Sequence, residues 1–85
     1  MDNLERFKAR REIGFRLRKR RKELGLTQSE LAAFLGHKGS YRINQIELGR
    51  LRLYAEELLT LLRKLECEFS DIVDLDVCPD GQDTG

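Results

Sequence analysis

The side chains with the clearest chemical potential lie in the stretch SYRINQ, residues 40–45. Asparagine and glutamine can pair bidentately with adenine, and arginine can do so with guanine. Tyrosine can pack on a thymine methyl group or donate a hydrogen bond to a phosphate. The stretch therefore predicts a surface that faces base edges, and its candidate residues are Ser40, Tyr41, Arg42, Asn44 and Gln45.

A second set of residues suits phosphate groups rather than bases. Gln28 lies in the first turn of a predicted helix, where free backbone amides and the helix dipole favour a phosphate. Arg50 and Arg52 follow the next predicted helix and would add salt-sensitive affinity. The phosphate candidates are Arg18, Thr27, Gln28, Lys38, Arg50 and Arg52. Helical spacing spreads the basic run 16–22 around its helix, so we expect only part of it to contribute.

The charge distribution of the chain is uneven, although its net charge is only +1. Residues 1–52 hold 14 Lys and Arg against 6 Asp and Glu, a balance of +8, and residues 53–85 hold 2 against 9, a balance of −7. This pattern fits a basic face for a polyanion with an acidic end kept away from it. It fits equally well a charged, solvated surface with an acidic tail.

Catalytic and metal chemistry are not expected. No stretch combines a nucleophile, a base and an orienting group, and His37 is the only histidine. The two cysteines, Cys67 and Cys78, form no CxxC motif and are interpreted as a buried apolar residue and a tail thiol. We therefore expect no enzyme, no cofactor and no metal.

The length and composition predict one small helical domain. The chain has 85 residues, 36% of them charged, with one proline and no tryptophan. It contains no apolar run of about 18 residues, and its charged N-terminus lacks the apolar middle of a signal peptide. We therefore expect a cytoplasmic protein that does not contact a membrane.

Apolar periodicity and capping signals predict five helices, near residues 3–24, 27–36, 40–48, 54–66 and 69–75. Gly14 leaves the continuity of the first helix open, Phe34 falls on the apolar face of the second, and Ile43 and Ile46 face the core from the third. Asp2 or Asn3 would cap the first, Thr27 with Glu30 forms a capping box at the second, and Ser40 would cap the third. Residues 73–77, VDLDV, alternate apolar and acidic types and leave a short strand open. The predicted division is a helical extension over 1–12, a domain over 13–76 and a disordered acidic tail over 77–85.

Two short helices joined by a glycine-containing turn form the arrangement of a helix-turn-helix. The residues resemble the Cro/phage-repressor (XRE-type) helix-turn-helix DNA-binding family. The resemblance covers about residues 13–73. It is carried by Ile13, Gly14, Leu17, Arg18, Arg21, Gly25, Leu26, Thr27, Gln28, Leu31, Ala32, Leu35, Gly36, Ile43, Ile46, Glu47 and Gly49.

The resemblance implies an all-α, five-helix lambda-repressor-like fold. It also implies that Gln28 braces the DNA backbone and that Arg21 and Glu47 form a partly buried salt bridge. The sequence departs from the family pattern in two places. The turn HKG before Ser40 is one residue longer than usual, and Leu53 and Tyr54 stand where the family has a proline and a Ser/Thr cap.

The resemblance implies a sequence-specific, double-stranded DNA-binding transcriptional regulator, a repressor that binds an inverted repeat as a homodimer. Candidate dimer contacts are Leu59, Phe69, Ile72 and Leu75. Two alternatives remain at this point: an antitoxin-type autoregulator that also binds a toxin or co-regulator, and a protein-binding adaptor that does not read DNA. A polar third helix that contains Arg42 argues against the adaptor.

Overall fold

The computed structural model describes residues 3–73, with the side chain of Asn3 left out. These residues form five helices and no strand: α1 (Asn3–Glu23), α2 (Gln28–Phe34), α3 (Tyr41–Glu47), α4 (Ala55–Lys64) and α5 (Phe69–Ile72). The predicted all-α, five-helix lambda-repressor-like class is confirmed. The cap at Asp2, the strand beyond Val73, Leu75, Cys78 and the predicted tail lie outside the described residues.

Helix α1 runs without a break through Gly14, where the sequence left a break open. The reason is a close approach between helices: a Cβ on Gly14 would lie 2.6 Å from the carbonyl oxygen of Glu47 and closer still to that of Ile46. Only glycine lets the backbone of α1 come this near to the end of α3. The glycine therefore fixes the distance between these two helices.

Helix α2 begins and ends as the sequence predicts. Thr27 and Glu30 form the capping box, with the Glu30 N–H donating to Thr27 Oγ1 at 3.0 Å and the Thr27 N–H donating to Glu30 Oε1 at 2.8 Å. After Phe34 the chain turns at Gly36, which has a φ of +83°. The N–H groups of Gly36 and His37 then donate to carbonyls inside α2, a pattern that terminates a helix.

The start of α3 differs from the prediction. Ser40 precedes the helix, but its hydroxyl caps no backbone N–H and its backbone is helical rather than extended. The residue therefore closes the longer turn instead of capping the helix. The end of α3 is regular, because Gly49 adopts a φ of +77° and its N–H donates to Ile46 at 3.0 Å.

The core lies where α1, α2, α3, α4 and α5 meet. Its buried apolar side chains are Leu17, Leu31, Ala32, Ile43, Ile46, Leu61, Leu65 and Ile72. Ile72 is only 1% exposed, so its assignment to a dimer surface was wrong: its side chain packs in the core, whereas Phe69 on the same helix is 47% exposed. Phe34, expected on the buried face of α2, is 48% exposed, with Lys64 Nζ 4.9 Å above its ring.

Apolar packing and a side-chain cap organise the segment between α3 and α4. Leu51 and Leu53 are partly buried against the core. The N–H of Tyr54, the residue before α4, donates to Glu57 Oε1 at 3.0 Å, so the side chain of Glu57 caps this helix from within. This cap brings Glu57 close to the N-terminal end of α3.

Candidate nucleic-acid interface

A buried ion pair fixes the C-terminal end of α3. Arg21 Nε donates to Glu47 Oε2 at 2.7 Å and its terminal nitrogen donates to Glu47 Oε1 at 3.1 Å. Both residues are 6% exposed, and Arg21 also donates to the Leu26 carbonyl at 2.7 Å. The salt bridge that the resemblance implied is present, and it ties α1, the turn after it and α3 together.

Gln28 extends this network to α2. Its Nε2 donates to Glu47 Oε1 at 3.0 Å and to Asn44 Oδ1 at 3.2 Å. The first residue of α2 is thus joined to the middle and the end of α3. A residue expected at a phosphate and a residue expected at a base lie one hydrogen bond apart, so the two helices present their polar groups as one unit.

The outward side of α3 carries most of the predicted base-facing residues. Tyr41 is 72% exposed, whereas Ser40, Asn44 and Gln45 are half-buried. Ile43 and Ile46 point inward, as the spacing predicted. The side chain of Gln45 forms no hydrogen bond within residues 3–73, so both its donor and its acceptor can face an external partner.

Arg42 does not belong to this outward face. Its Nε and a terminal nitrogen donate to Glu57 at 2.8 and 2.6 Å, and its guanidinium lies 5.0 Å from the centre of the Tyr54 ring. The same terminal nitrogen donates to the Arg52 carbonyl at 3.1 Å. The prediction that Arg42 faces a base therefore differs from the structure, because a carboxylate from α4 holds its side chain.

Glu57 is the residue on which the N-terminal end of α3 depends. The hydrogen bonds from Arg42, with a smaller contribution from the Tyr54 N–H, lower the pKa of Glu57 to about 2 against the opposing effect of burial. His37 Nε2 lies 3.5 Å from Glu57 Oε2, a longer contact. Sequence reasoning missed Glu57, whose only local signal is its position in the first turn of α4.

The phosphate candidates lie around this face and differ in exposure and hydrogen bonding. Arg18, Lys38, Arg50 and Arg52 are exposed, and Gln28 is half-buried. Thr27 Oγ1 accepts the Glu30 N–H, which leaves its hydroxyl proton for another acceptor. These candidates thus lie on α1, at the start of α2, in the turn and after α3.

The basic run 16–22 divides into structural and solvated side chains, as its helical spacing predicted. Arg16 pairs with Glu12 at 2.7 Å, and Arg20 donates to the carbonyls of Leu65 and Glu66 at 2.7 and 3.2 Å. Arg20 therefore fastens the end of α4 to α1. The exposed members of the run are Arg18, Lys19 and Lys22.

Helices α2 and α3, the short turn between them and the shared polar network define a helix-turn-helix domain, in which the second helix of the pair enters the major groove. Comparison with protein-family models matches residues 17–72, or 56 of the 85 residues, to a helix-turn-helix family. The chain belongs to this family, the Cro/C1-type, XRE-like helix-turn-helix proteins, which are DNA-binding regulatory domains and are not typically enzymatic. Neither the curated proteins nor the solved structures gave a match. Within residues 3–73, no helix is long and apolar enough to span a membrane.

Proposed function

We propose that this protein is a sequence-specific regulator of transcription that binds double-stranded DNA as a homodimer and acts as a repressor in the cytoplasm. The observation that carries the proposal is the network through Arg21, Glu47, Gln28 and Asn44. It locks the start of α2 and the outward face of α3 into one geometry. A protein that reads base edges needs this rigidity, because hydrogen bonds to bases tolerate little displacement.

Base reading is assigned to the outward residues of α3. Gln45 has its whole amide available and is the strongest candidate for a bidentate contact with adenine. Asn44 already accepts a hydrogen bond from Gln28, so its amide donors remain for a base. Ser40 and Tyr41 lie at the N-terminal end of the helix, where side chains of such helices reach the groove.

Backbone binding is assigned to the residues around this face. Gln28 and Thr27 stand at the start of α2. The side-chain amide of Gln28 donates to Asn44 and Glu47, so Gln28 would meet a phosphate through its backbone N–H. Exposed positive charge is supplied by Arg18, Lys38, Arg50 and Arg52. Each contact to a phosphate releases counterions and adds affinity that depends on salt but not on sequence. The two sets thus divide specificity from affinity.

The homodimer is assigned to the apolar surface of α4 and α5. Leu59 is 60% exposed and Phe69 is 47% exposed. Both are large apolar side chains, and exposed apolar surface of this kind is typical of protein–protein contacts. A two-fold dimer would place two copies of α3 on half-sites about one helical turn apart, which calls for an inverted repeat. Binding at such a repeat can block access of the transcription machinery.

Selection of binding sites from random duplex DNA tests the base-reading assignment. We expect the wild-type chain to enrich an inverted repeat, Gln45→Ala to change the preferred base at one position of each half-site, and Arg52→Ala to keep the motif. Arg52→Ala should also reduce the slope of log affinity against log salt by about 1. Arg63→Ala, which removes an exposed arginine of α4, is the charge-matched control and should change neither. A folded wild-type chain that enriches no motif would contradict sequence-specific binding.

Sedimentation tests the dimer. Leu59→Glu should shift the chain toward a monomer, whereas Leu4→Glu, at a leucine that is also 60% exposed but lies on α1, should not. Equal behaviour of the two variants would place the dimer surface elsewhere.

A further inference from the structure

A groove that shares only Arg52 with the proposed DNA interface lies between the N-terminal half of α1 and the segment after α3. It encloses about 420 Å³. Its floor is apolar and consists of Ala9, Ile13, Ile46, Leu51 and Leu53. Four of its lining residues, Arg6, Ala9, Arg10 and Ile13, precede the region that the family model matches.

The polar residues of the groove are all arginines: Arg6, Arg10 and Arg52. No aspartate or glutamate from residues 3–73 lines it. Three cations at the edge of an apolar depression repel one another and raise the local positive potential. The groove is therefore built for a ligand that carries negative charge on an apolar body.

Arg10 gives a second, independent indication. Its Nε is buried and has no hydrogen-bond partner in the described part of the chain. A buried N–H without an acceptor is costly, and folded proteins satisfy nearly all such groups. The Arg10 side chain lines the groove, so a rotation of its guanidinium toward a bound carboxylate would give this N–H an acceptor in a charge-assisted hydrogen bond.

We propose that this groove binds a small apolar carboxylate, with the acid group at Arg10 and the apolar body on Ala9, Ile13 and Leu53. The volume lies in the range of small-molecule sites, which are mostly apolar with a few placed polar groups. DNA phosphates would use the arginines but would leave the apolar floor uncovered. A protein partner would need roughly 800 Å² of surface, more than this depression offers.

Binding at this site would affect DNA through Arg52, and this consequence rests on the proposed function. Arg52 lies both at the edge of the groove and among the proposed phosphate contacts. A carboxylate close to its guanidinium would lower the positive potential that attracts the DNA backbone. The ligand would therefore act as an inducer that weakens DNA binding.

The test is titration of the ¹⁵N-labelled full chain, without DNA, with decanoate below its micelle concentration, followed by amide chemical shifts. Decanol and acetate serve as the neutral and the short-chain probes. We expect decanoate to shift the amides of residues 9–13 and 51–53, with decanol at least about tenfold weaker, because a hydrogen bond to a charged group is lost. Acetate should produce no saturable shift. Equal binding of decanol and decanoate, or shifts centred outside these segments, would overturn the proposal.

Two variants test the charge and the apolar floor of the groove separately. Arg10→Met should weaken decanoate about tenfold or more, since it removes the donor but keeps a long side chain. Ala9→Leu fills the floor, keeps all three arginines and should abolish binding, and both residues favour a helix. Arg63→Met on α4 is the control and should bind as the wild type does. Unchanged binding by Ala9→Leu would overturn the proposal, and because DNA is absent this failure would leave the proposed DNA binding untouched.

Discussion

The two ends of α3 are each held by an arginine–glutamate pair, but the two pairs differ in burial and in the helix that they reach. At the C-terminal end, Arg21 and Glu47 join α3 to α1, with side chains 8% and 2% exposed. At the N-terminal end, Arg42 and Glu57 join α3 to α4, with side chains 22% and 12% exposed. Both pairs are bidentate, so the geometry of the contact is the same and only the surroundings differ.

This difference separates stability from orientation. A deeply buried pair has lost its hydration, and desolvation offsets much of its attraction, but removal of one partner leaves an uncompensated charge. A pair with partial access to water can recover hydration when one partner is lost. We therefore expect the C-terminal pair to determine whether α3 packs against α1. We expect the N-terminal pair to determine the orientation of α3 after the turn.

The largest expected effect comes from breaking the buried pair. Arg21→Met should lower the free energy of unfolding by about 3–5 kcal/mol, because Glu47 would remain charged and buried. Urea denaturation followed by circular dichroism measures this loss. Arg18→Met, on the same helix but exposed, should change the free energy by less than about 0.5 kcal/mol.

The double variant Arg21→Met with Glu47→Leu distinguishes an unpaired charge from lost packing. It should recover part of the stability that Arg21→Met loses, since no buried charge remains. A double variant less stable than Arg21→Met would show that the pair itself, rather than the unpaired carboxylate, stabilises the fold.

The two pairs also show which contacts could be predicted from the sequence. Arg21 and Glu47 stand at family positions, so the resemblance identified both partners and the helices that they join. Arg42 and Glu57 are separated by 15 residues and by a loop without the family's proline, and no local pattern relates them. Spacing alone placed Arg42 outward, because helical periodicity shows which residues face the core but not what a neighbouring helix offers to the others.

The other features of the fold also divide into those that local sequence rules predict and those that depend on contacts between helices. The capping box at Thr27 and the inward direction of Ile43 and Ile46 follow from local rules and were predicted. The close approach at Gly14 and the burial of Ile72 depend on which helices meet, so single-helix periodicity missed them. The base contacts of α3 stay a prediction, since they depend on a DNA partner.

Acidification should weaken the Arg42–Glu57 pair at the N-terminal end of α3 selectively. The pKa of Glu57 is lowered from 4.5 to about 2 in the folded chain, so the folded state favours the ionised form. Its contribution is present above the unfolded pKa and is lost as pH falls from about 4.5 toward 2. Linkage makes this loss about 1–3 kcal/mol, measurable by urea denaturation at several pH values.

The control for acid is Glu57→Gln, which cannot titrate. Its stability should fall less over the same pH range than that of the wild type. Both chains keep Glu30, whose pKa is lowered mainly by its hydrogen bond with the Thr27 N–H, so the difference between them isolates Glu57. Parallel pH profiles would contradict the assignment.

Loss of Arg42 tests the division between stability and orientation. Arg42→Met should cost about 1–2 kcal/mol, less than Arg21→Met, because Glu57 can regain water. It should nevertheless alter the selected DNA motif, since the N-terminal turn of α3 loses its contact with α4. An unchanged motif with reduced stability would show that this pair supports the fold only.

The smallest expected effect concerns His37, which shares Glu57 with Arg42. Its Nε2 lies 3.5 Å from Glu57 Oε2, whereas the Arg42 contacts are 2.6 and 2.8 Å, and its side chain is 34% exposed. His37→Ala should therefore lower the free energy of unfolding by no more than about 0.5 kcal/mol and leave the selected motif unchanged. Its backbone N–H still donates to Ala32 at 2.9 Å, so the end of α2 is preserved. If His37→Ala instead changed the motif as Arg42→Met does, the turn itself would determine the orientation of α3. The N-terminal pair would then be a consequence of that orientation and not its cause.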